Sequence, residues 1–171
     1  MSKKAVILIG HGGVPADFPK DQLGELKRLE AKRQESGSMQ MSAREAELDT
    51  KIRNWPRTKI TDPYKWGLED IINAFRNELG GNRLEIAYNE FCAPSLDDSI
   101  EKLVKEGFDS ISIVTTMYTR GGYHSEVEIP QLVELARKRH SGIIINYAWP
   151  FGSDLIARFL NEQLKTFHCG K

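Results

Sequence analysis

The stretch Ala5-Val6-Ile7-Leu8-Ile9-Gly10-His11-Gly12-Gly13 decides the fold. Five consecutive apolar residues, most of them β-branched, read as a strand covered on both faces, which is the pattern of a parallel sheet. The glycines that follow let the backbone turn sharply and leave His11 at the strand's carboxyl end. Three more segments have strand character: Leu84 to Tyr88, Ser110 to Thr115 and Gly142 to Tyr147. Helical patterns follow them. Ser95 opens one, with Asp97 and Asp98 in its first turn, Ile100, Leu103 and Val104 at helical spacing, and Gly107 as its stop. A second carries Ile129, Leu132, Val133 and Ala136, and the last carries Leu155, Ile156, Phe159, Leu160 and Leu164.

This alternation predicts an α/β fold: a four-stranded parallel sheet between two helical layers, the flavodoxin-like three-layer α/β/α arrangement, with ligands bound beyond the carboxyl ends of the strands. With 171 residues, one domain spanning 1–171 is expected. The stretch Val14 to Pro63 is too long for an ordinary connection between the first strand and the helix Tyr64 to Leu79, so residues 14–63 are read as a helical insertion. Leu23, Leu26 and Leu29 mark one amphipathic helix, and Ser42 with Glu45 forms a capping box for another carrying Ala46, Leu48 and Ile52. That hairpin is either solvated decoration, a lid or a dimer arm.

Lysine plus arginine and aspartate plus glutamate both total 24, so no net charge attracts nucleic acid or an anionic membrane. The five-residue apolar run near the amino terminus is too short for a signal-peptide core or a membrane span. Cys92 and Cys169 lie far apart without metal-site spacing, which suits a reducing, cytoplasmic setting.

Chemistry concentrates at two strand ends. His11 lies between glycines after the first strand. After the third strand comes Tyr118-Thr119-Arg120-Gly121-Gly122-Tyr123-His124-Ser125-Glu126-Val127-Glu128-Ile129-Pro130. His124 and Glu128 are four apart and share a face if the helix has begun there, so that the carboxylate can orient the imidazole. Glu126 reads as an ordinary first-turn acid. Neutral imidazole binds cobalt, nickel, iron or zinc, and it also accepts protons near physiological pH, so two histidines and a carboxylate suit either task. A dinucleotide fingerprint is excluded because Pro15 stands where its third glycine belongs. A histidine phosphohydrolase is disfavoured because no arginine lies beside His11. Ser95, Ser125 and Ser153 occupy helix-start positions, so no nucleophile with an obvious base stands out, while His140 and His168 look incidental.

The strand-Gly-His-Gly start, Phe91-Cys92-Ala93-Pro94-Ser95-Leu96 after the second strand, and Gly122-Tyr123-His124 followed by Glu128-Ile129-Pro130 after the third together resemble the class II tetrapyrrole chelatases, of the small sirohydrochlorin cobaltochelatase and ferrochelatase type. The resemblance covers Lys4 to Gly13 and Tyr64 to about Trp149. It implies insertion of cobalt, iron or nickel into a tetrapyrrole such as sirohydrochlorin, with His11 and His124 binding the incoming metal and removing pyrrole protons and Glu128 at a position usually acidic. It implies no tightly bound cofactor, and a homodimer that encloses the macrocycle. Gly12, Tyr118, Arg120 and Gly122 are expected to meet the substrate, Arg120 at its carboxylates and Tyr118 at a ring face. The chain departs from the family in its insertion and in the polar Thr115-Thr116-Met117-Tyr118. A non-catalytic metal or tetrapyrrole carrier of the same fold is the alternative.

Overall fold

The computed structural model describes residues 2–38 and 40–168. Along β1 (Lys4–Gly10), Ala5, Ile7 and Ile9 join one apolar cluster and Val6 and Leu8 another, so both faces of the strand are covered, as its sequence predicts. β2 (Arg83–Tyr88), β3 (Ser110–Thr115) and β4 (Ile144–Tyr147) complete a fully parallel sheet of order β2-β1-β3-β4. Among the described residues the helices are α1 (Lys20–Glu35), α2 (Ala43–Arg53), α3 (Pro63–Glu78), α4 (Leu96–Lys105), α5 (Ile129–Arg139) and α6 (Ser153–His168). β4 starts later than the sequence predicts because Ile143 N–H bonds the His140 carbonyl in the turn that closes α5.

Leu96, Ile100 and Leu103 of α4 and Ile129, Val133 and Ala136 of α5 cover one face, against Ile7, Ile9, Ile111 and Ile113. Leu68 and Ile72 of α3 cover the other, against Leu8, Leu84 and Tyr88. Ser42 caps α2 and Ser95 caps α4 through capping boxes with Glu45 and Asp98, and Asp62 caps α3 just before Pro63. The strand order begins as in flavodoxin-like sheets, reversing between β1 and β3, and the crevice at such a switch point is where these folds bind ligands.

Helices α1 and α2 form the inserted hairpin. Phe18, Leu26, Leu48 and Ile52 are buried together with Phe91 from the loop after β2. Each is worth about 1.5–3 kcal/mol when removed from water, so the hairpin is docked rather than solvated. Arg33 of α1 and the buried Glu45 of α2 pair at 2.7 Å across it. By contrast, Leu155, Phe159, Leu160, Leu164 and Phe167 on α6 are exposed. No helix among the described residues is long and apolar enough to cross a membrane.

Candidate metal centre

The pairing of β1 with β2 continues beyond the strands. Asn89 N–H donates to Gly10 O at 2.9 Å and Glu90 N–H to His11 O at 2.8 Å. Gly12 has φ +100°, and a Cβ there would run into the Glu90 carbonyl oxygen. The close approach that this glycine permits is thus between the loop after β1 and the loop after β2. Tyr64 of α3 accepts the His11 backbone N–H at 2.7 Å. Past Glu90, Cys92 N–H donates to Glu90 O at 2.6 Å around Phe91, whose φ is +56°. This γ-turn has a bulky residue in the left-handed region, a conformation costing about 1–3 kcal/mol that persists only where its surroundings enforce it.

On the far side of the crevice, His124–Glu128 is a single π-helical turn leading into α5, closed by Ile129 N–H on His124 O. Pro130 lacks an N–H and cannot extend ordinary helical bonding backwards into this turn. Ile129 N–H, which in an α-helix would bond the Ser125 carbonyl, reaches His124 O, and the Ser125 carbonyl accepts from Tyr147 Oη at 3.1 Å instead. The widened turn sets His124 and Glu128 on one face, with Nδ1 and Oε2 2.7 Å apart.

These loops bring His11, Glu90 and His124 together, with one ligand atom of each lying within 4.8 Å of the others. Both Nε2 atoms face the Glu90 carboxylate at 3.6 Å, His11 toward Oε2 and His124 toward Oε1. The imidazoles meet edge to face, with centroids 4.9 Å apart. His11 Nδ1 is 2.9 Å from Gly12 O, which accepts an N–H there, and His124 Nδ1 faces Glu128. These partners place the ring protons on Nδ1 and leave both Nε2 lone pairs for a cation. Asn89 Nδ2 donates to the same Glu128 oxygen at 2.7 Å. Two histidines and a carboxylate on one side of a cation leave its remaining positions open, and such a donor set accepts several first-row divalent metals.

Charges reinforce the arrangement. The Glu128 hydrogen bond raises the His124 pKa above its ordinary value; burial opposes this, and Glu90 adds to the rise. Burial disfavours the Glu128 anion, but the hydrogen bonds from His124 and Asn89 outweigh it and hold the carboxyl below its ordinary value. Glu30, half-buried on α1, is pushed up to about 7, first by burial and then by the charges of Glu90 and Glu128. The inserted hairpin therefore adds a carboxyl whose ionisation is opposed by Glu90 and Glu128.

The CbiX family model matches residues 62–166, more than half of the chain. The chain belongs to the CbiX family. No curated protein matches its sequence. Among solved structures it is similar to the sirohydrochlorin chelatase SirB of Bacillus subtilis subspecies spizizenii in complex with cobalt, with TM-score 0.56 and 17% identity over 96% of this chain and 50% of that one. SirB from Bacillus subtilis with Fe3+ gives TM-score 0.55 and 16% identity over 96% and 47% of the two chains. A putative cobalamin biosynthesis CbiX protein of Marinobacter aquaeolei VT8 gives TM-score 0.53 and 17% identity over 95% and 98%. The chain thus spans about half the length of the SirB chains.

In this CbiX-family chain, β1, His11 and most of the insertion precede the matched range, whereas Glu90, His124 and Glu128 lie inside it. Of the residues singled out in the sequence, His11, His124 and Glu128 converge, with Glu128 meeting His124 from behind. Gly122 opens the π-helical turn, its carbonyl accepting from Glu126 N–H at 3.0 Å. Tyr118 and Arg120 are exposed on the loop after β3, and among the described residues neither has a side-chain hydrogen bond or ion pair. Glu126 is exposed, as expected of a first-turn acid. His140 pairs with Glu101 of α4 at 2.7 Å, away from the site. Cys92 is a buried free thiol whose pKa burial pushes up, and it is not one of the three converging donors. Cys169 and the side chain of His168 lie outside the described residues.

Sequence reasoning missed Glu90 and Asn89. Both directly follow β2, and the rule that ligands bind at carboxyl strand ends, applied to β2 as it was to β1 and β3, points to them.

Proposed function

We propose that this chain is a chelatase that inserts a divalent metal, cobalt, iron or nickel, into a tetrapyrrole such as sirohydrochlorin. The observation that carries the reading is the His11–Glu90–His124 donor set, open on one side, at the strand-end crevice of a CbiX-family fold. The overall reaction converts a free-base macrocycle and M2+ into the metallated macrocycle and two protons. It needs a donor set that releases the metal stepwise and bases that accept pyrrole protons.

His11, Glu90 and His124 hold the metal on the substrate's path. As each pyrrole nitrogen replaces a protein ligand, the freed imidazole or carboxylate takes a proton. His124 accepts at Nε2 and, through its Nδ1–H on Glu128, passes the charge to a carboxylate with some exposure to water. Tyr118 and Arg120, exposed on the loop after β3, are assigned to a ring face and a peripheral carboxylate, and Gly12 and Gly122 to the loops that border the substrate. The metal is a substrate, and the reaction calls for no tightly bound cofactor. The half-length relation to SirB and the exposed stripe of α6 support a second copy of the chain as the other wall of the site. The buried free thiol of Cys92 fits a reducing, cytoplasmic setting.

The test follows sirohydrochlorin absorbance with cobalt, iron and nickel in turn. Acceleration over the metal-only control is expected for at least one metal. No acceleration for any metal overturns the enzyme assignment, and tight metal binding alongside it assigns a carrier role.

A further inference from the structure

The turn that presents Glu90 is strained, and the atoms that hold it come from the insertion. Arg53, the last residue of α2, donates from Nη2 to Asn89 O at 2.9 Å and from Nη1 to Cys92 O at 3.0 Å. Its own Nε is fixed by Asp49 one turn earlier, at 2.8 Å. Arg57 donates to the Phe91 carbonyl, to Gly13 O at 2.8 Å and to Ile52 O at 2.9 Å, and it pairs with the buried Asp62. Ala93 N–H in turn bonds the Arg53 carbonyl at 3.2 Å. The Phe91 ring is packed among Phe18, Leu26, Leu48 and Ile52. Two guanidinium groups and an apolar socket thus span residues 89 to 92, and Arg57 also ties that turn to the loop after His11.

We infer that the inserted hairpin is the positioning element of the metal centre: Arg53, with Arg57 beside it, holds the Asn89–Cys92 turn in the conformation that aims Glu90 at the two histidine Nε2 atoms and Asn89 at Glu128. The inference rests on reading His11, Glu90 and His124 as a metal site. A planar guanidinium grips two carbonyls with donors fixed in one rigid fork, whereas an ammonium is a compact charge on a flexible stem whose donors hold no such fixed geometry. Arg53 touches no metal ligand side chain. It acts through the backbone on either side of Glu90.

The test is a Co2+ titration of the full metal-free chain, followed by the visible d–d absorption of the bound ion, for wild type, Arg53→Met and Arg53→Lys, all below their melting temperatures. Arg53→Met is expected to weaken cobalt binding at least tenfold and to change the band shape, because Glu90 leaves the coordination sphere. Arg53→Lys, which keeps the charge but not the rigid fork, is expected to fall between the two. A purely structural role would lower the melting temperature and leave both affinity and spectrum of the folded protein unchanged, and that result overturns the inference. If Arg53→Met does not fold, Arg53→Lys decides: wild-type affinity and bands overturn the inference, and a weakened, altered site supports it. Absence of cobalt binding in the wild type overturns it as well. Because the readout is binding, weakened cobalt binding in the variants beside a failed insertion assay sinks the proposed activity and leaves the positioning role intact.

Discussion

His124 Nδ1 and Asn89 Nδ2 converge on one oxygen of Glu128, so a single carboxylate fixes the histidine's tautomer and raises its proton affinity. The two effects oppose each other in metal capture. A more basic imidazole is a better ligand, yet at low pH it is also more often occupied by a proton. Glu128→Gln keeps an acceptor but removes the charge. Its expected outcome is cobalt binding weakened about 10–100-fold at pH 8, with the acid limb of binding moved to lower pH as the His124 pKa falls. A cobalt titration repeated across pH measures both, and an acid limb that stays in place refutes the assigned coupling. His11, His124 and Glu128 were legible because glycines flag the strand ends and four-residue spacing flags the pair. Glu90 was not, because no glycine or histidine marks it, and its place opposite His11 depends on β1–β2 pairing running past both strands.

At the scale of elements, the capping box at Ser42 and the helix start at Ser95 were readable from local chemistry, since each involves residues within one turn of each other. The π-helical turn was not, because it arises from Pro130 combined with Tyr147, 22 residues beyond the Ser125 carbonyl that it reaches. The docking of the hairpin was likewise hidden: an amphipathic face announces that it will be buried but not against what. The structure supplies that surface, Phe91 and its strained turn. Placing Glu30 there has a cost. Its folded-state pKa of about 7 exceeds the ordinary value of 4.5, so the folded state binds the proton more tightly than the unfolded one. Stability from this group is therefore greatest below about pH 4.5 and declines as pH rises toward 7. Glu30→Gln is expected to stabilise the metal-free protein at pH 8 by about 1 kcal/mol, after allowing for solvent screening, and to leave it unchanged at pH 4. Thermal melts at the two pH values measure this, and equal shifts at both contradict it.

For the whole molecule, the parallel order and the three layers followed from strands that are apolar on both sides, and the observed sheet agrees with them. What no local pattern conveyed is the state of α6, whose Leu155, Phe159, Leu160 and Leu164 lie on an exposed apolar stripe. A face of this kind points to association. If a second copy covers it, Phe159→Glu turns a dimer into a monomer in analytical ultracentrifugation, whereas a wild type that sediments as a monomer contradicts the pairing. At the crevice, the proposed function has His11, Glu90 and His124, each following a different strand, pass a metal to a macrocycle. The decisive measurement is the initial rate of cobalt insertion into sirohydrochlorin for wild type and Glu90→Ala. A wild-type rate well above the metal-only control and a loss of at least a hundredfold in the variant are expected; equal rates in the two proteins would refute transfer through Glu90.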